Sequence, residues 1–254
     1  MNTCPNCGHA DVATFCAQCG QSQRLSRLSV GSVLQLAFRS VFDADRGVMR
    51  TFKELTLRPG DMVAAYVGGQ RRSYLNPITY FFVVATFQLI DLLLLGDTLR
   101  EILEGAYVQA QASAGVTASP EEIEAWVNHR YEVMTSFGVY MMLVGVCIPY
   151  ALFLRVAFLK SGYNLAECFV FAVFTTSHGM LLTSLVAPIT VQFGFNFYSI
   201  VVLGIFVGMA IYAGGRFFRR WYGYVLSPAL FMVAYFINAW LMDVLDRTLK
   251  GFGF

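Results

Sequence analysis

Residues 168–215 read CFVFAVFTTSHGMLLTSLVAPITVQFGFNFYSIVVLGIFVGMAIYAGG and contain no Asp, Glu, Lys or Arg. A helix needs about 20 apolar residues to cross the hydrocarbon core of a bilayer, so this stretch is long enough for two crossings. The segment QFGFN (192–196) interrupts the apolar run with the polar and glycine residues that are typical of a turn. We therefore predict a hairpin of two membrane-spanning helices, near 166–191 and 197–214.

The composition of the whole chain also indicates a membrane protein. Hydrophobic residues make up 57% of its 254 residues and charged residues 13%, whereas soluble domains carry about 25% charged residues. Further uncharged stretches predict spans near 77–95, 137–159 and 222–242. Asn76 and Pro77 suit the N-cap and the first turn of the first span. The predicted fold class is an all-α polytopic membrane protein with about five transmembrane helices.

Basic residues are concentrated on one side of the predicted spans. Residues 1–75 are rich in arginine, whereas the predicted external loop 96–136 contains only Arg100 and Arg130 among many carboxylates. Because basic loops stay in the cytoplasm, we predict a multi-pass protein of the cytoplasmic membrane with a cytoplasmic N-terminus and an external C-terminus. No small-residue cleavage site follows the first long apolar run, so no signal peptide is predicted.

Two Cys-x-x-Cys pairs lie near the start of the chain, in CPNCGHADVATFCAQCGQ (4–21). Four thiolates at this spacing suit tetrahedral zinc, and a reducing cytoplasm favours a metal over disulfides. We predict a zinc ribbon at residues 1–21 with a structural Zn²⁺ ion; disulfide, redox and iron–sulfur uses are the alternatives. Four cysteine ligands leave no open coordination position, so catalysis at the metal is not expected. The predicted ligands are Cys4, Cys7, Cys16 and Cys19.

Residues 22–75 are predicted to form a cytoplasmic amphipathic segment. Apolar residues recur with helical period between 30 and 57, and arginines occupy much of the other face. Such a helix either lies in the interface beside anionic lipid or packs on the cytoplasmic ends of the spans. Pro59 suits the start of a second helix that Gly68 and Gly69 end. The predicted contacts with lipid or a partner are Arg58, Tyr66, Arg71, Arg72 and Tyr74, unless these residues only fix how the chain enters the bilayer.

Polar residues inside the predicted spans are the other candidates for function. His178 lies in TTSHG (175–179), near the middle of the third span, and an ionisable residue at membrane depth is a functional hypothesis. A neutral histidine can equally satisfy both ring nitrogens by hydrogen bonds between helices. A transporter or channel would line its path with these intramembrane polar residues, which are Gln88, Asp91, His178 and Asn238.

Residues 3–82 also carry a recognisable order of motifs. A ribbon ending in FCAQCGQ (15–21) precedes RPGDMVAAYVGGQRRSYLNPITYFF (58–82). The positions that carry the likeness are Thr51, Leu55, Arg58, Pro59, Gly60, Tyr66, Gly69, Arg71, Tyr74, Asn76 and Pro77. On these residues the chain resembles a family of bacterial zinc-ribbon membrane proteins, the domain of unknown function 3667. The resemblance implies that ribbon, juxtamembrane helix and first span form one module, but it implies no activity. The predicted topology is also similar to the Yip-type membrane fold.

The sequence shows no phosphate loop, nucleophile elbow or pair of intramembrane carboxylates, so catalysis is not expected. The predicted domains are the ribbon (1–21), the juxtamembrane segment (22–75) and the transmembrane domain (76–254). The leading prediction is a cytoplasmic zinc-ribbon platform for protein interaction or membrane-associated regulation. The alternatives are a transporter or channel around His178 and a membrane enzyme acting on lipid. Membrane lipid and a cytoplasmic protein are the expected partners; nucleic acid is not, because the ribbon contains no Lys or Arg.

Overall fold

The computed structural model describes residues 3–10, 14–22, 27–29, 31–33 and 47–251. Over this part of the chain the regular structure is helical, apart from one antiparallel bridge between Phe15 and Ser22. The helices are α1 (Val48–Leu57), α2 (Pro59–Val67), α3 (Pro77–Leu94), α4 (Gly96–Ser113), α5 (Pro120–Val133), α6 (Ile148–Ala157), α7 (Leu165–Thr190), α8 (Phe195–Phe218) and α9 (Gly223–Gly251). The all-α prediction is thus confirmed for the described residues.

Four helical segments are long and apolar enough to cross a membrane. They are Pro77–Leu94, Leu165–Phe193, Asn196–Phe218 and Gly223–Met242, and they match the first, third, fourth and fifth predicted spans. Asn76 caps α3 by accepting a hydrogen bond from the N–H of Ile78 at 2.9 Å, and Pro77 occupies the first turn, as predicted. Gly194, in the predicted turn, has a φ of 85°.

The second predicted span, 137–159, takes a different form. Helical structure continues from Pro120 to Ala157 through two π-helical segments, Met134–Gly138 and Met142–Cys147. Only Met142–Ala157 forms an apolar helix here, and it is shorter than the four candidate spans. By length and composition the described residues therefore contain four candidate spans rather than five. The π-helical turns, which are uncommon in long helices, are not signalled by the period of the apolar residues.

Predicted loop 96–136 is a helical hairpin. α4 and α5 pack side by side, and the ring of Tyr107 stacks on that of Trp126 at 4.7 Å between centroids. Ser119 and Glu122 form a capping box at the start of α5, so the predicted helix start at Ser119 and Pro120 is confirmed. α4 was not predicted, because its apolar residues are too sparse to mark one face.

α7 is the most buried of the four candidate spans. In the apolar stretch of this span, 78% of the residues are buried. The buried fractions of the other three candidate spans are 39%, 28% and 22% in chain order. It contacts α3, α6 and α8, and also α1 and α2 of the segment before the first span. The outer spans leave large apolar side chains exposed, as helices that face lipid do.

α3 and α7 run in the same direction with a clear offset. Tyr80, in the first turn of α3, bonds to His178, and Gln88, two turns later, bonds to Ser184. His178 lies 13 residues after the start of α7 and Tyr80 three residues after the start of α3, so about 15 Å of α7 extends beyond the start of α3. α1 and α2 pack around this protruding part, and we call the two helices the cap.

The cap is packed tightly on the helix ends. Leu55 of α1 is fully buried, so Val48–Leu57 packs on the spans, which is one of the two predicted arrangements. Residues 34–46 of the predicted amphipathic segment lie outside the described part of the chain. In α2, a Cβ at Gly60 would come within 2.4 Å of the Ala213 carbonyl oxygen and 2.8 Å of the Phe217 nitrogen in α8. Glycine is therefore required for this approach of α2 to α8.

Replacing Gly60 by alanine is expected to lower the free energy of unfolding by about 1–3 kcal/mol, because the added methyl group overpacks against α8. The matched control is Gly208→Ala, where a Cβ would meet nothing within 4 Å. That variant should be neutral or stabilising, since alanine is the better helix former. Thermal unfolding of the purified protein in detergent measures both. Equal midpoints for the two variants would contradict a tight contact between α2 and α8.

Candidate metal centre and buried polar sites

The four N-terminal cysteines lie together. Their sulfur atoms are all within 4.8 Å of one another, and none of the four is in a disulfide. The Sγ atoms of Cys4 and Cys19 are 3.6 Å apart, as are those of Cys7 and Cys16. Zinc–sulfur bonds of about 2.3 Å in a tetrahedron place sulfurs about 3.8 Å apart, so the cluster fits a four-cysteine metal site.

The cluster is built from two copies of one backbone turn. The N–H of Gly8 donates to the Cys4 carbonyl, and the N–H of Gly20 donates to the Cys16 carbonyl, both at 2.8 Å. Both glycines have positive φ, 76° at Gly8 and 71° at Gly20, which is why glycine follows each Cys-x-x-Cys pair. Each turn presents two sulfurs, and together they could hold one metal ion.

The environment of the sulfurs separates their pKa values. Burial raises the pKa of Cys4, but backbone N–H groups of Cys7 and Asn6 stabilise its thiolate and lower the pKa to about 6. A backbone hydrogen bond from His9 lowers the pKa of Cys7, yet burial and the neighbouring sulfurs raise it to about 12. Once one sulfur ionises, it opposes ionisation of its neighbours. A bound cation removes that opposition, so metal binding and loss of the thiol protons are coupled.

A buried side chain joins the cysteine cluster to the cap. Gln21 is 5% exposed, and its Oε1 accepts a hydrogen bond from the N–H of Arg72 at 2.9 Å. Its carbonyl accepts from the N–H of Cys16 at 2.9 Å. The ribbon is thus held at the turn between α2 and α3. Gln21 ends the FCAQCGQ motif, but no local signal in the sequence marks it as a contact residue.

A second set of contacts joins the residues that follow the ribbon to the start of α7. Arg27 donates to both carboxylate oxygens of Glu167, at 2.9 Å from Nε and 2.8 Å from Nη2. Asn164 Nδ2 donates to the Leu28 carbonyl at 2.8 Å. Because Glu167 and Asn164 also form the capping box of α7, the segment that leaves the ribbon is fixed at the start of the central helix. The hydrogen bond to Glu167 raises the pKa of Arg27, which keeps this guanidinium charged.

The five predicted lipid or partner contacts have different surroundings. Tyr66 is 2% exposed and meets the ring of Phe174 edge-on at 5.3 Å; burial raises the pKa of its phenol. Tyr74 is 8% exposed. Arg58 pairs with Glu54, Arg71 is half-buried, and Arg72 is exposed. Both tyrosines are thus buried in the described structure, Tyr66 because the helical period of α2 turns it towards α7. Contact of the five residues with lipid or a partner stays a prediction.

The cap also contains a polar crevice of about 170 Å³. It lies between α1, α2 and the turn that leads into α3. Its lining residues are Arg50, Glu54, Arg58, Asp61, Met62, Ala65, Gln70 and Tyr74. Of these, the sequence singled out only Arg58 and Tyr74, because the lining comes together only when α1 and α2 fold against each other.

His178 is fully buried, and both of its ring nitrogens are hydrogen-bonded. Nδ1 lies 2.7 Å from the Tyr80 hydroxyl, and Nε2 lies 3.0 Å from Thr56 Oγ1. The Thr56 hydroxyl donates its proton to the Phe52 carbonyl at 2.8 Å, so Thr56 accepts from Nε2–H. Nδ1 then accepts from Tyr80. This fixes one neutral tautomer and links the cap, α3 and α7.

The other intramembrane polar residues lie in separate contacts. Gln88 donates to the Met180 carbonyl at 3.0 Å and to Ser184 Oγ at 2.6 Å. Asp91 is half-buried beside the same serine hydroxyl. Asn238 lies on α9 against Gly145, where a Cβ would come within 2.8 Å of the Asn238 Cγ. Gln88 and Asp91 are thus brought together, whereas His178 and Asn238 have other neighbours.

Residues 45–89 match the model of a family described as protein of unknown function (DUF3667). The match confirms the predicted resemblance over α1, α2 and most of α3. The matched segment contains Thr56, Tyr80 and the whole lining of the crevice. Comparison with curated proteins and with solved structures gave no match. The bacterial origin and the likeness to the Yip-type fold stay predictions.

Thr56→Val is expected to cost about 1–3 kcal/mol of unfolding free energy, because the Nε2–H of His178 loses its acceptor in a buried site. Thr86→Val is the matched control: Thr86 is exposed on α3 and bonds only to the carbonyl of Phe82, in its own helix. Unfolding midpoints in detergent measure the difference. If the two valine variants are equally stable, the hydrogen bond between Thr56 and His178 does not contribute to the stability of the fold.

Proposed function

We propose that this chain is an integral protein of a bacterial inner membrane whose zinc ribbon is a cytoplasmic docking module for another protein. The observation that carries the proposal is the closed cysteine cluster held at two points, by Gln21 on the cap and by Arg27 on α7. A four-cysteine site has no open position for substrate, so its role is to hold a fold. A fold held against the membrane core is suited to presenting a surface.

The donor set supports zinc as the metal. Four thiolates within 4.8 Å of one another suit zinc, which prefers tetrahedral sulfur coordination and undergoes no redox change. About twenty residues cannot build an apolar core, so the ion supplies the stability that a core would give. In this proposal the zinc is structural, and the chain is not an enzyme.

The proposed topology has five crossings. α3 and α7 run in the same direction, so the chain between them must return across the membrane. The apolar helix Met142–Ala157, extended by the helical residues before it, supplies the return. The cap, the turn at 159–164 and the end of α8 then share one side with the basic residues. The positive-inside rule makes that side cytoplasmic and places the C-terminus outside.

The ribbon offers an apolar anchor for a partner. Phe15 is 62% exposed and stands beside the cysteine cluster on the bridge with Ser22. Exposed aromatic side chains on rigid scaffolds are frequent anchors of protein interfaces. The segment 3–20 contains no Lys or Arg, so a protein surface is the better match for it than nucleic acid.

A transporter or channel around His178 is the alternative. The contact of Gln88 and Asp91 at Ser184 is the feature that favours it, because a carboxylate inside a span is usually functional. We prefer the docking module because both nitrogens of His178 already bond within the protein.

The purified protein is expected to contain about one zinc ion per chain, and Cys16→Ser to lose it, since a four-coordinate structural site needs all its ligands. Cys168→Ala is the control, because this buried thiol lies outside the cluster. Elemental analysis by plasma mass spectrometry measures the ratio. Iron with acid-labile sulfide, or zinc retained by Cys16→Ser, would contradict a structural zinc site.

A photo-crosslinking amino acid placed at Phe15 is expected to capture a distinct protein in cells, because this position would lie in the docking surface. The same amino acid at Trp221, which is 79% exposed in the α8–α9 turn, is the control. Capture from Phe15 should disappear in a Cys4→Ser background, since the ribbon loses its fold. The proposal fails if both positions capture the same proteins, or if Cys4→Ser changes nothing.

A further inference from the structure

The polar crevice of the cap contains an unusual balance of charge. Arg50 and Glu54 come from α1, Arg58 from the junction between the helices, and Asp61 from α2. The four charges cancel. A site that selects an anion carries excess positive charge, so this lining favours a ligand that carries both signs.

Two of the four charges satisfy each other. Arg58 and Glu54 form a two-pronged ion pair one helical turn apart, with Nη2 donating to Oε1 at 2.9 Å. This pair forms a neutral wall of the crevice. It needs no ligand.

The other two charges have weaker partners. The Arg50 guanidinium lies over the ring of Tyr74 at 5.2 Å and forms no ion pair with any described residue. Among the described residues the ion-pair partner of Asp61 is Arg216, at 4.0 Å and with both side chains about half exposed, and the charge of Arg58 acts on Asp61 from farther away. Arg50 and Asp61 can therefore both bind one ligand that carries a negative group for Arg50 and a positive group for Asp61.

The crevice lies at the level where the chain enters the bilayer. Tyr74 precedes the start of α3 at Pro77, and Arg216, which approaches Asp61, lies in the last turn of the membrane-spanning α8. Tyrosine and arginine at span ends mark the headgroup region of a membrane. The ligand within nearest reach is therefore a lipid headgroup.

We propose that this crevice binds the phosphoethanolamine headgroup of a membrane lipid, with Arg50 on the phosphate and Asp61 on the ammonium group. Guanidinium and phosphate form charge-assisted hydrogen bonds, and a primary ammonium offers Asp61 three N–H donors. A choline group has no such donor, and the aromatic face that it would need on Tyr74 is covered by Arg50. A glycerol headgroup offers Asp61 hydroxyl donors but no positive charge, so its hydrogen bonds to the carboxylate are weaker. The proposal does not depend on the role of the zinc ribbon.

The test is native mass spectrometry of the full chain in detergent, titrated with phosphatidylethanolamine, phosphatidylglycerol and phosphatidylcholine of identical acyl chains. The wild type is expected to bind the ethanolamine lipid about 10-fold more tightly than the other two, the effect of one charge-assisted hydrogen bond. Arg50→Gln should weaken that binding about 10-fold. Asp61→Asn should abolish the preference over phosphatidylglycerol. Arg220→Gln, which removes an exposed charge outside the crevice, should change nothing.

Equal binding of the three lipids by the wild type overturns the proposal, and so does an equal loss in Arg220→Gln and Arg50→Gln. Tighter binding of phosphatidylglycerol overturns it in favour of an anionic headgroup. A further titration with soluble glycerophosphoethanolamine distinguishes the source of the group. If this compound binds as tightly as the lipid, the lipid assignment is overturned. Unfolding midpoints of each variant separate loss of the crevice from loss of the fold.

Discussion

The structure depends on a mismatch between the length of α7 and the thickness of a membrane. The helix comprises 26 residues, about 39 Å, against a hydrocarbon core of about 30 Å. The excess is apolar and would be exposed to water if nothing covered it. α1 and α2 cover it, and for this reason a membrane protein of this size has a compact cap of its own.

The cap explains why His178 is buried without being deep in the bilayer. Half of α7 precedes it, but α3 has completed only one turn at the same level. Its ring joins three helices at the junction of cap and spans. Hydrogen bonds between helices are directional, so the fixed tautomer sets the register of α1 against α7 as well as holding them together. The histidine that the sequence marks as a candidate for transport connects three helices.

The features that could be predicted from the sequence are those whose signals are local. Each of these features needs only a few neighbouring residues. Examples are the Cys-x-x-Cys turns, the proline at the start of α2 (Pro59) and the N-cap of α5 (Ser119). The partners of buried groups could not be predicted, because they come from distant parts of the chain. His178 and Thr56 are 122 residues apart, and Arg27 and Glu167 are 140 apart. The burial of Tyr66 and the lining of the crevice likewise follow from packing, which a single sequence does not encode visibly.

The two ties of the ribbon also impose an order on assembly. Gln21 can meet Arg72 once the first span is being made, since 51 residues separate them. Arg27 must wait for Glu167, when most of the chain has left the ribosome. The hydrogen bonds of the cysteine turns involve no described residue beyond Gln21, so the turns that could hold a metal ion can form first. The ribbon can thus fold well before Glu167, the residue that holds it on α7, has been synthesised.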